Sequence, residues 1–255
     1  MKTWLFLLLI FWWAPTLNAT TFIIAYEEKE NPPYYYTNQL DPSDHKGVTI
    51  DVLNTIAKRL KFNIQYVRLP WARALIKLKE NKIDGLFHAS FNRERQKYGL
   101  YPMKGREVDT DSMVMTQRYV LYKHANSAVN WNGSEFTHLS GPLGVIIRYA
   151  IISDLKKMGV AVIESPNSLA LLNQVQSGRL AGMVNLENMT DPIITKNSLS
   201  LSHIEKVLPA VKEKPYYIMF SHGRYETHPN LVKAIWLEMK KIKSSGEYQA
   251  FFKNH

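Results

Sequence analysis

The amino-acid sequence predicts an α/β fold with two lobes. Short β-rich runs alternate with amphipathic helical segments, which is typical of a parallel or mixed sheet flanked by helices. The same alternation begins again near residue 143, in the second half of the chain. A length of 255 residues is enough for two bodies of about 100 residues each. We therefore expect two α/β units, with small ligands binding in the cleft between them.

The first half of the chain contains three predicted strands and two predicted helices. The strands are residues 21–26, 63–67 and 83–87, which are short and rich in β-forming side chains. One helix opens near Thr49, because apolar side chains recur from there at helical spacing, namely Val52, Leu53, Ile56, Ala57 and Leu60. The second helix follows Pro70 and has the apolar stripe Trp71, Ala74, Leu75 and Leu78.

The second half repeats this order of strands and helices. The predicted strands are residues 143–147, 160–163, 180–184 and 216–220. A short helix covers residues 153–158, and the next one has Ser168 as its N-cap and ends at Gly178. The last long helix has Pro229 in its first turn and ends by Gly246.

The N-terminus has the pattern of a secretory signal peptide. Lys2 supplies a positive charge, and residues 4–13 form an unbroken apolar run. Because a bilayer-spanning helix needs roughly 20 apolar residues, this run is too short for the alternative, a membrane anchor. Pro15 ends the run, and Ala19 is a small residue at a cleavage position. We expect residues 1–19 to be removed and the rest to be exported, to the periplasm where the host has two membranes.

The composition excludes several classes of function. The chain has no cysteine, which excludes disulfides, a thiol nucleophile and a thiolate metal site. Its formal net charge is +10, but the basic residues are scattered, so we expect no nucleic-acid binding. The motifs HExxH, GxSxG, GxGxxG and GxxxxGK[ST] are missing and the histidines are dispersed. We therefore expect no catalytic residues, no metal and no other cofactor.

Several stretches carry a resemblance to a known family. The first half contains GVTIDVLNTIAKRL from Gly47, LPWARALIKLKENKIDG from Leu69 and SFNRERQKYGLYP from Ser90. The second half contains GPLGV from Gly141, SGRLAGMV from Ser177 and KPYYIMFS from Lys214. In their order and spacing these stretches resemble the bacterial extracellular solute-binding proteins of family 3, a group that contains periplasmic amino-acid-binding proteins. The resemblance covers essentially the whole mature chain.

The resemblance implies a clamshell whose two lobes are joined by two crossing strands. The first lobe would comprise residues 20–115 and 217–255, and the second lobe residues 116–216. Members of the family close around a small polar solute and deliver it to an ABC-type importer. We therefore expect a small, carboxylate-bearing solute and an inner-membrane permease as partners of a monomeric protein. A membrane sensor is the alternative to the permease.

The resemblance also implies which side chains bind the solute. Arg95 corresponds to the family's arginine for the ligand carboxylate, which a guanidinium binds through two parallel hydrogen bonds. Ser90, in the same SxxxER signature, corresponds to a hydroxyl donor. Tyr34 and Tyr35 follow a double proline where the family has an aromatic wall over the ligand. The alternatives are a surface role for Arg95, a turn role for Ser90 and loop packing for the two tyrosines.

Three further positions are binding candidates in this comparison. Trp71 and Arg73 belong to a PWxR segment that resembles a pocket rim in one subgroup of the family. Trp71 also fits the apolar stripe of its helix, which favours packing. Tyr149 falls where the N-terminus of a second-lobe helix meets the cleft, and such termini attract anions.

The chain also departs from the family in two places. Arg148 stands where a small residue is usual, and a second arginine favours a more negative ligand. The family's aspartate for the ligand ammonium is replaced by Leu186, beside which Glu187 could serve if the backbone shifts by one residue. These departures leave open a polar amino acid, a small carboxylate or another small polar metabolite.

An enzyme on the same scaffold is the alternative function, since a few relatives with this fold are prephenate or arogenate dehydratases. Such an enzyme needs a histidine or carboxylate with a shifted pKa in the cleft. His88, at the end of the third strand, is the best candidate for that role, although a histidine at a strand end is more often packed or solvated.

Overall fold

The computed structural model describes residues 19–37, 41 and 43–255. The predicted signal peptide lies outside these residues apart from Ala19, and it stays a prediction. None of the helices in the described part of the chain has the length and apolar character that a bilayer crossing requires.

The first part of the described chain is an α/β unit. Its elements are β1 (Thr21–Glu27), α1 (Val48–Leu60), β2 (Asn63–Leu69), α2 (Trp71–Lys79) and β3 (Gly85–Ser90). These are followed by a 3-10 helix (Arg93–Lys97), the hairpin β4 (Met103–Lys104) and β5 (Glu107–Val108), and a second 3-10 helix (Thr110–Ser112).

The second α/β unit lies between two long strands, and three helices complete the chain. The long strands are β6 (Met115–His124) and β12 (Ile204–Phe220). Between them lie β7 (Asn130–Trp131), β8 (Phe136–Thr137), β9 (Leu143–Ile146), α3 (Ile151–Lys157), β10 (Val162–Ser165), α4 (Ser168–Gln176), β11 (Gly182–Leu186) and α5 (Glu187–Lys196). After β12 come α6 (His222–Thr227), α7 (Pro229–Ser244), α8 (Glu247–Phe251) and a last 3-10 helix (Phe252–Asn254).

Eight of the described strands form one mixed sheet with the order β10-β9-β11-β6-β12-β3-β1-β2, and β4-β5 and β7-β8 form separate pairs. We call the body built on β1 to β3 the first lobe, which also contains the mutually packed α1, α7 and α8. The body built on β9 to β11 with α3 to α5 is the second lobe. The antiparallel pair β6 and β12 joins them. The predicted two-lobed α/β fold is confirmed. The predicted lobe boundaries, which fall within β6 and β12, stay a prediction.

Two strands of the second lobe begin two residues later than the sequence predicts. Gly159, with φ of 76°, and the bond from the Val160 N–H to the Leu155 carbonyl hold the end of α3 in a turn, so β10 begins at Val162. Gly178, with φ of 72°, forms a similar turn at the end of α4, so β11 begins at Gly182. The N-cap of α4 is Asn167 rather than the predicted Ser168, because the Asn167 side chain accepts the Ala170 N–H at 3.1 Å.

A glycine lets the tyrosine-rich loop pack against the start of α1. Gly47 has φ of 129°, and a Cβ at this position would lie 2.4 Å from the Tyr34 carbonyl oxygen. Only glycine therefore allows this approach. It brings Tyr35 into the buried core, where the ring lies 5.1 Å from that of Tyr26.

Candidate functional site

A small cavity lies between the two lobes. Its walls come from both lobes and from the joining strands, namely Glu27, Asn31, Tyr35, Trp71, Phe87, His88, Ser90, Arg95, Gln117, Tyr119, Tyr149, Leu186, Met189 and Tyr216. About 20 Å³ remains for the centres of water molecules, which is room for roughly one water. The lobes must therefore separate before a solute larger than water can enter.

Arg95 supplies the positive charge of this cavity. It lies in the 3-10 helix that follows β3, whose N-cap is the Asn92 side chain, a 2.9 Å acceptor for the Glu94 N–H. Arg95 is 6% exposed, and its guanidinium donates to the carbonyl and hydroxyl oxygens of Ser90 at 3.1 and 3.0 Å. It lies 5.2 Å from the ring of Trp71, a favourable cation–π distance.

The second lobe provides a neutral hydrogen-bond acceptor for the Arg95 guanidinium. The backbone carbonyl of Arg148 accepts from Arg95 at 2.6 Å and from the Trp71 indole at 3.3 Å. A carboxylate in this place would carry the opposite charge, and a hydrogen bond between two ionised partners is stronger than one to a neutral oxygen. The arrangement is therefore suited to binding an anionic group of a ligand.

Glu27 supplies a negative charge to the same cavity. It ends β1 and is 8% exposed, and the hydroxyl of Tyr149 donates to its Oε2 at 2.7 Å. Burial raises the pKa of Glu27, because desolvation disfavours the carboxylate, while the Tyr149 hydrogen bond acts in the opposite direction. A ligand cation beside Glu27 would favour its ionised form.

His88 is a buried, neutral group in the cavity wall. Its backbone has φ of 60°, a left-handed conformation that is uncommon for residues other than glycine. The Nε2 atom lies 2.8 Å from the Thr49 hydroxyl, and Nδ1 lies 3.5 Å from the amide nitrogen of Asn31. Burial lowers the pKa of His88 to about 3, since desolvation disfavours the imidazolium. Asn31 in turn accepts a hydrogen bond from Asn188 of the second lobe.

The comparisons with known proteins agree with this architecture. The model of the bacterial extracellular solute-binding proteins, family 3, matches residues 23–255. The chain belongs to this family. The family resemblance in the sequence is thereby confirmed, and the protein is a solute-binding protein of an extracellular family. A search of curated proteins found no match.

Solved structures of the same fold are similar to the chain at low sequence identity. A histidine kinase sensor domain with similarity to periplasmic binding proteins has a TM-score of 0.72 at 15% identity, with 92% of this chain and 96% of that chain covered. An ancestral arginine-binding protein bound to glutamine has a TM-score of 0.69 at 19% identity, with coverage of 93% and 98%. An ancestral amino-acid-binding protein, a precursor of cyclohexadienyl dehydratase, has a TM-score of 0.65 at 16% identity, with coverage of 92% and 94%.

Five of the predicted binding residues of this solute-binding protein line the cavity. They are Ser90, Arg95, Tyr35, Trp71 and Tyr149. The first four belong to the first lobe and Tyr149 to the second, so the cavity walls bring together positions far apart in the sequence. Trp71 is also buried in the core, as its helical stripe predicts. Their role in binding stays a proposal.

Four other predicted binding side chains do not line this cavity, and their role in binding stays a prediction. Tyr34 packs on His88 with its ring 5.5 Å away, outside the cavity walls. Arg73 is exposed on α2 and does not line the cavity. Arg148 turns its guanidinium to the Tyr98 hydroxyl at 3.1 Å, and only its carbonyl reaches Arg95.

Glu187 also faces away from the cavity. The last residue of β11, Leu186, lines the cavity, and α5 begins at the next residue. The Glu187 carboxylate pairs with Arg118 at 3.0 Å and with Lys206 at 2.8 Å. With these two cations as its partners, Glu187 does not line the cavity, and its role in binding stays a prediction.

Sequence reasoning missed Glu27 and Gln117 as cavity residues. Glu27 ends a parallel strand, and ligands of open α/β sheets bind at the carboxyl ends of strands, so its position was a usable signal. Gln117 and Tyr119 alternate with exposed or half-buried residues along β6, which indicates a shared face. Among residues 19–37, 41 and 43–255, no three His, Asp or Glu side chains cluster as metal ligands.

Proposed function

We propose that this solute-binding protein captures an amino acid between its lobes. The ligand carboxylate binds Arg95 and the Ser90 hydroxyl, and the ligand ammonium binds Glu27. The observation that carries the proposal is a buried cation and a buried carboxylic acid in the walls of one small cavity. Buried charges are stable only when they are paired, and a zwitterion pairs both at once.

The hydrogen bonds of Arg95 and Glu27 support this pairing. In the second lobe, the Arg148 carbonyl accepts a hydrogen bond from Arg95, and the Tyr149 hydroxyl donates one to Glu27. Each of the two groups therefore already has one neutral partner. A zwitterion replaces both neutral partners with opposite charges. Among proteins of the same fold, the ancestral arginine-binding protein bound to glutamine has an amino acid as its ligand.

The proposed partner is an ABC-type importer in the inner membrane, reached from the periplasm after removal of the signal peptide. The family supports a protein that binds solutes outside the cell. Because β6 and β12 join the two lobes, ligand capture between the lobes can change their relative orientation, and we propose that a permease recognises the ligand-bound orientation. The similarity to a histidine kinase sensor domain favours a ligand-sensing role as the second candidate.

We propose binding without chemistry, because the cavity histidine is poorly suited to proton transfer. His88 was the candidate catalyst, and burial lowers its pKa to about 3, far from the neutral range in which a general acid or base works best. The similarity to a precursor of cyclohexadienyl dehydratase concerns an amino-acid-binding protein. Turnover of prephenate or arogenate by the purified protein would contradict this part of the proposal.

A thermal-shift and calorimetric screen of the common amino acids tests the function. A ligand at 100 times its Kd stabilises the native form by about 2.7 kcal/mol, which raises the Tm by roughly 5–10 °C. Small dicarboxylates, polyamines and sugars complete the screen. Binding of amino acids alone supports the proposal, whereas a shift with sugars or polyamines only would refute it.

Variants at Arg95 connect the ligand to this cavity. Arg95→Ala should abolish amino-acid binding, and Arg95→Lys should weaken it, because lysine lacks the planar fork of donors. The matched control is Arg93→Ala in the same 3-10 helix, where the side chain is 70% exposed and pairs with Glu107. Unchanged affinity in folded Arg95→Ala, with circular dichroism like that of Arg93→Ala, would overturn the assignment.

A further inference from the structure

Gln117 brings an unused hydrogen-bond acceptor to the cavity. It is the third residue of β6, it is 3% exposed, and it lines the space between the lobes. Within the described part of the chain, its Oε1 atom has no hydrogen-bond partner. A buried carbonyl oxygen without a donor is unfavourable, and such a group in a native structure requires an explanation.

The groups next to Gln117 do not donate a hydrogen bond to its side-chain oxygen. Its amide nitrogen lies 3.6 Å from the Met115 sulfur, which directs the oxygen away from that side. Lys214 lies opposite Gln117 in the ladder between β6 and β12, but its ammonium pairs with Asp154 at 2.5 Å. The nearest cross-strand cation is therefore held by a carboxylate rather than by the Gln117 amide.

The alternation of side chains along β6 fixes the direction of Gln117. Tyr119 is two residues further along the strand and lines the same cavity, as the period of two requires. Arg118, between them, faces the other way and pairs with Glu187 at 3.0 Å. The Asn185 side-chain oxygen is also buried without a partner, but Asn185 does not line the cavity. Among the buried side-chain atoms without a hydrogen-bond partner in the described part of the chain, Gln117 Oε1 is the one whose residue lines this cavity, so a solute there can supply its missing donor.

We propose that Gln117 is a specificity-determining residue that accepts a hydrogen bond from a side-chain N–H group of the bound amino acid. This inference rests on the proposed function, in which Arg95 and Glu27 bind the main-chain carboxylate and ammonium. The Gln117 oxygen then remains for a second nitrogen donor. The preferred solutes are amino acids with an amide, imidazole, guanidinium or amine in the side chain. A site built to bind such a group rejects an analogue that lacks it.

The test compares amino acids that have a side-chain N–H with similar ones that lack it. The probes are glutamine, asparagine, histidine, arginine and lysine against methionine, leucine and norleucine, measured by titration calorimetry. In the wild-type protein at least one N–H-bearing probe should bind about tenfold more tightly than methionine, equivalent to about 1.4 kcal/mol. In Gln117→Met, a replacement of similar length without the acceptor, that preference should disappear.

Thermal unfolding of the ligand-free protein is the second measurement. Gln117→Met removes a buried acceptor that lacks a partner, so its Tm should be equal to or higher than that of the wild type while its selectivity is lost. A lower Tm with unchanged selectivity would make Gln117 a structural residue and overturn the inference. Gln249→Met, at an exposed glutamine of α8, is the control and should change neither quantity.

The outcomes separate the inference from the proposed function. If no probe binds the wild type, or if binding survives Arg95→Ala, the proposed function fails and the inference fails with it. If binding depends on Arg95 but Gln117→Met weakens all probes equally or not at all, only the inference fails. In the first of these two cases Gln117 contacts the shared ammonium, and in the second a trapped water satisfies its oxygen.

Discussion

The buried imidazole of His88 should make the protein less stable in mild acid. Burial lowers the pKa of His88 to about 3 in the folded protein, whereas an unfolded histidine titrates near 6.5. Between these two values the unfolded chain binds a proton that the folded one does not. Stability therefore rises with pH across this window, is fully present above pH 6.5, and is lost as the pH falls.

The size of the effect follows from the same two values. At pH 5 the unfolded imidazole is 1.5 units below its pKa, and each unit corresponds to about 1.36 kcal/mol, so the folded state loses about 2 kcal/mol relative to pH 7. For a chain of this size, 1 kcal/mol shifts the Tm by roughly 2–4 °C. The contribution of His88 to the drop in Tm is therefore roughly 4–8 °C.

The substitution His88→Asn isolates this contribution. Asparagine tolerates the left-handed backbone of position 88 and does not titrate. The variant loses the contact with Thr49 and has a lower Tm at pH 7, but the gap between wild type and variant should narrow by roughly 4–8 °C at pH 5. Carboxylates titrate alike in both proteins, so their effects cancel in the difference. Differential scanning calorimetry at the two pH values measures it.

A second histidine in the same backbone conformation provides the control. His138 has φ of 53° but is exposed, so its ring stays in water in the folded state. His138→Asn should leave the acid-induced drop in Tm at its wild-type size. If His88→Asn also leaves that drop unchanged, His88 is not held neutral in the folded protein and the reasoning from burial is wrong.

Three other side chains give separate predictions. Affinity for an amino acid should rise as the pH increases through the raised pKa of Glu27, because the ligand ammonium binds the ionised carboxylate. In Glu27→Gln, calorimetry should find no such pH dependence and an affinity at least tenfold weaker, which is about 1.4 kcal/mol. Asp154→Asn leaves the buried Lys214 cation without its partner, so the free energy of unfolding in urea should fall by about 3 kcal/mol. A fall of less than about 1 kcal/mol would contradict a buried ion pair. Arg148→Gly keeps the backbone carbonyl that accepts from Arg95, and glycine suits the φ of 62° at this position. The free energy of amino-acid binding should therefore change by less than about 0.5 kcal/mol. Loss of binding would show that the Arg148 guanidinium takes part.

The pair Ser90 and Arg95 is the part of the predicted site that a local motif carries. Ser90 and Arg95 are five residues apart, so a single strand-to-turn segment fixes both, and the guanidinium donates directly to the Ser90 oxygens. The alternation of strands and helices predicted the α/β fold for a similar reason, since each element is determined within about ten residues. Errors at β10 and β11 were small and arose at the turns that precede them.

The parts that the sequence did not predict depend on contacts between distant residues. Tyr149 was a candidate, but its hydrogen bond to Glu27 joins positions 122 apart that no spacing rule relates. Glu187 follows a cavity-lining position in the sequence, but Arg118 and Lys206 bind it on the other side. Such outcomes are decided by which opposite charge lies within reach after folding. A pattern along the chain does not contain that information.

The hydrogen bonds that Arg95 and Glu27 make to the second lobe would also limit how tightly the proposed ligand binds. Arg95 donates to the Arg148 carbonyl, and Glu27 accepts from the Tyr149 hydroxyl, two residues adjacent in the sequence. A solute that takes these places exchanges two existing hydrogen bonds for two ion pairs, so its affinity reflects the difference and not the sum of its contacts. The difference is large only for a ligand that carries both charges, because a ligand with one charge replaces one of these bonds while leaving the other buried group with its neutral partner. In the proposed site, a preference for zwitterions would thus follow from the hydrogen bonds that a ligand replaces as well as from those that it makes.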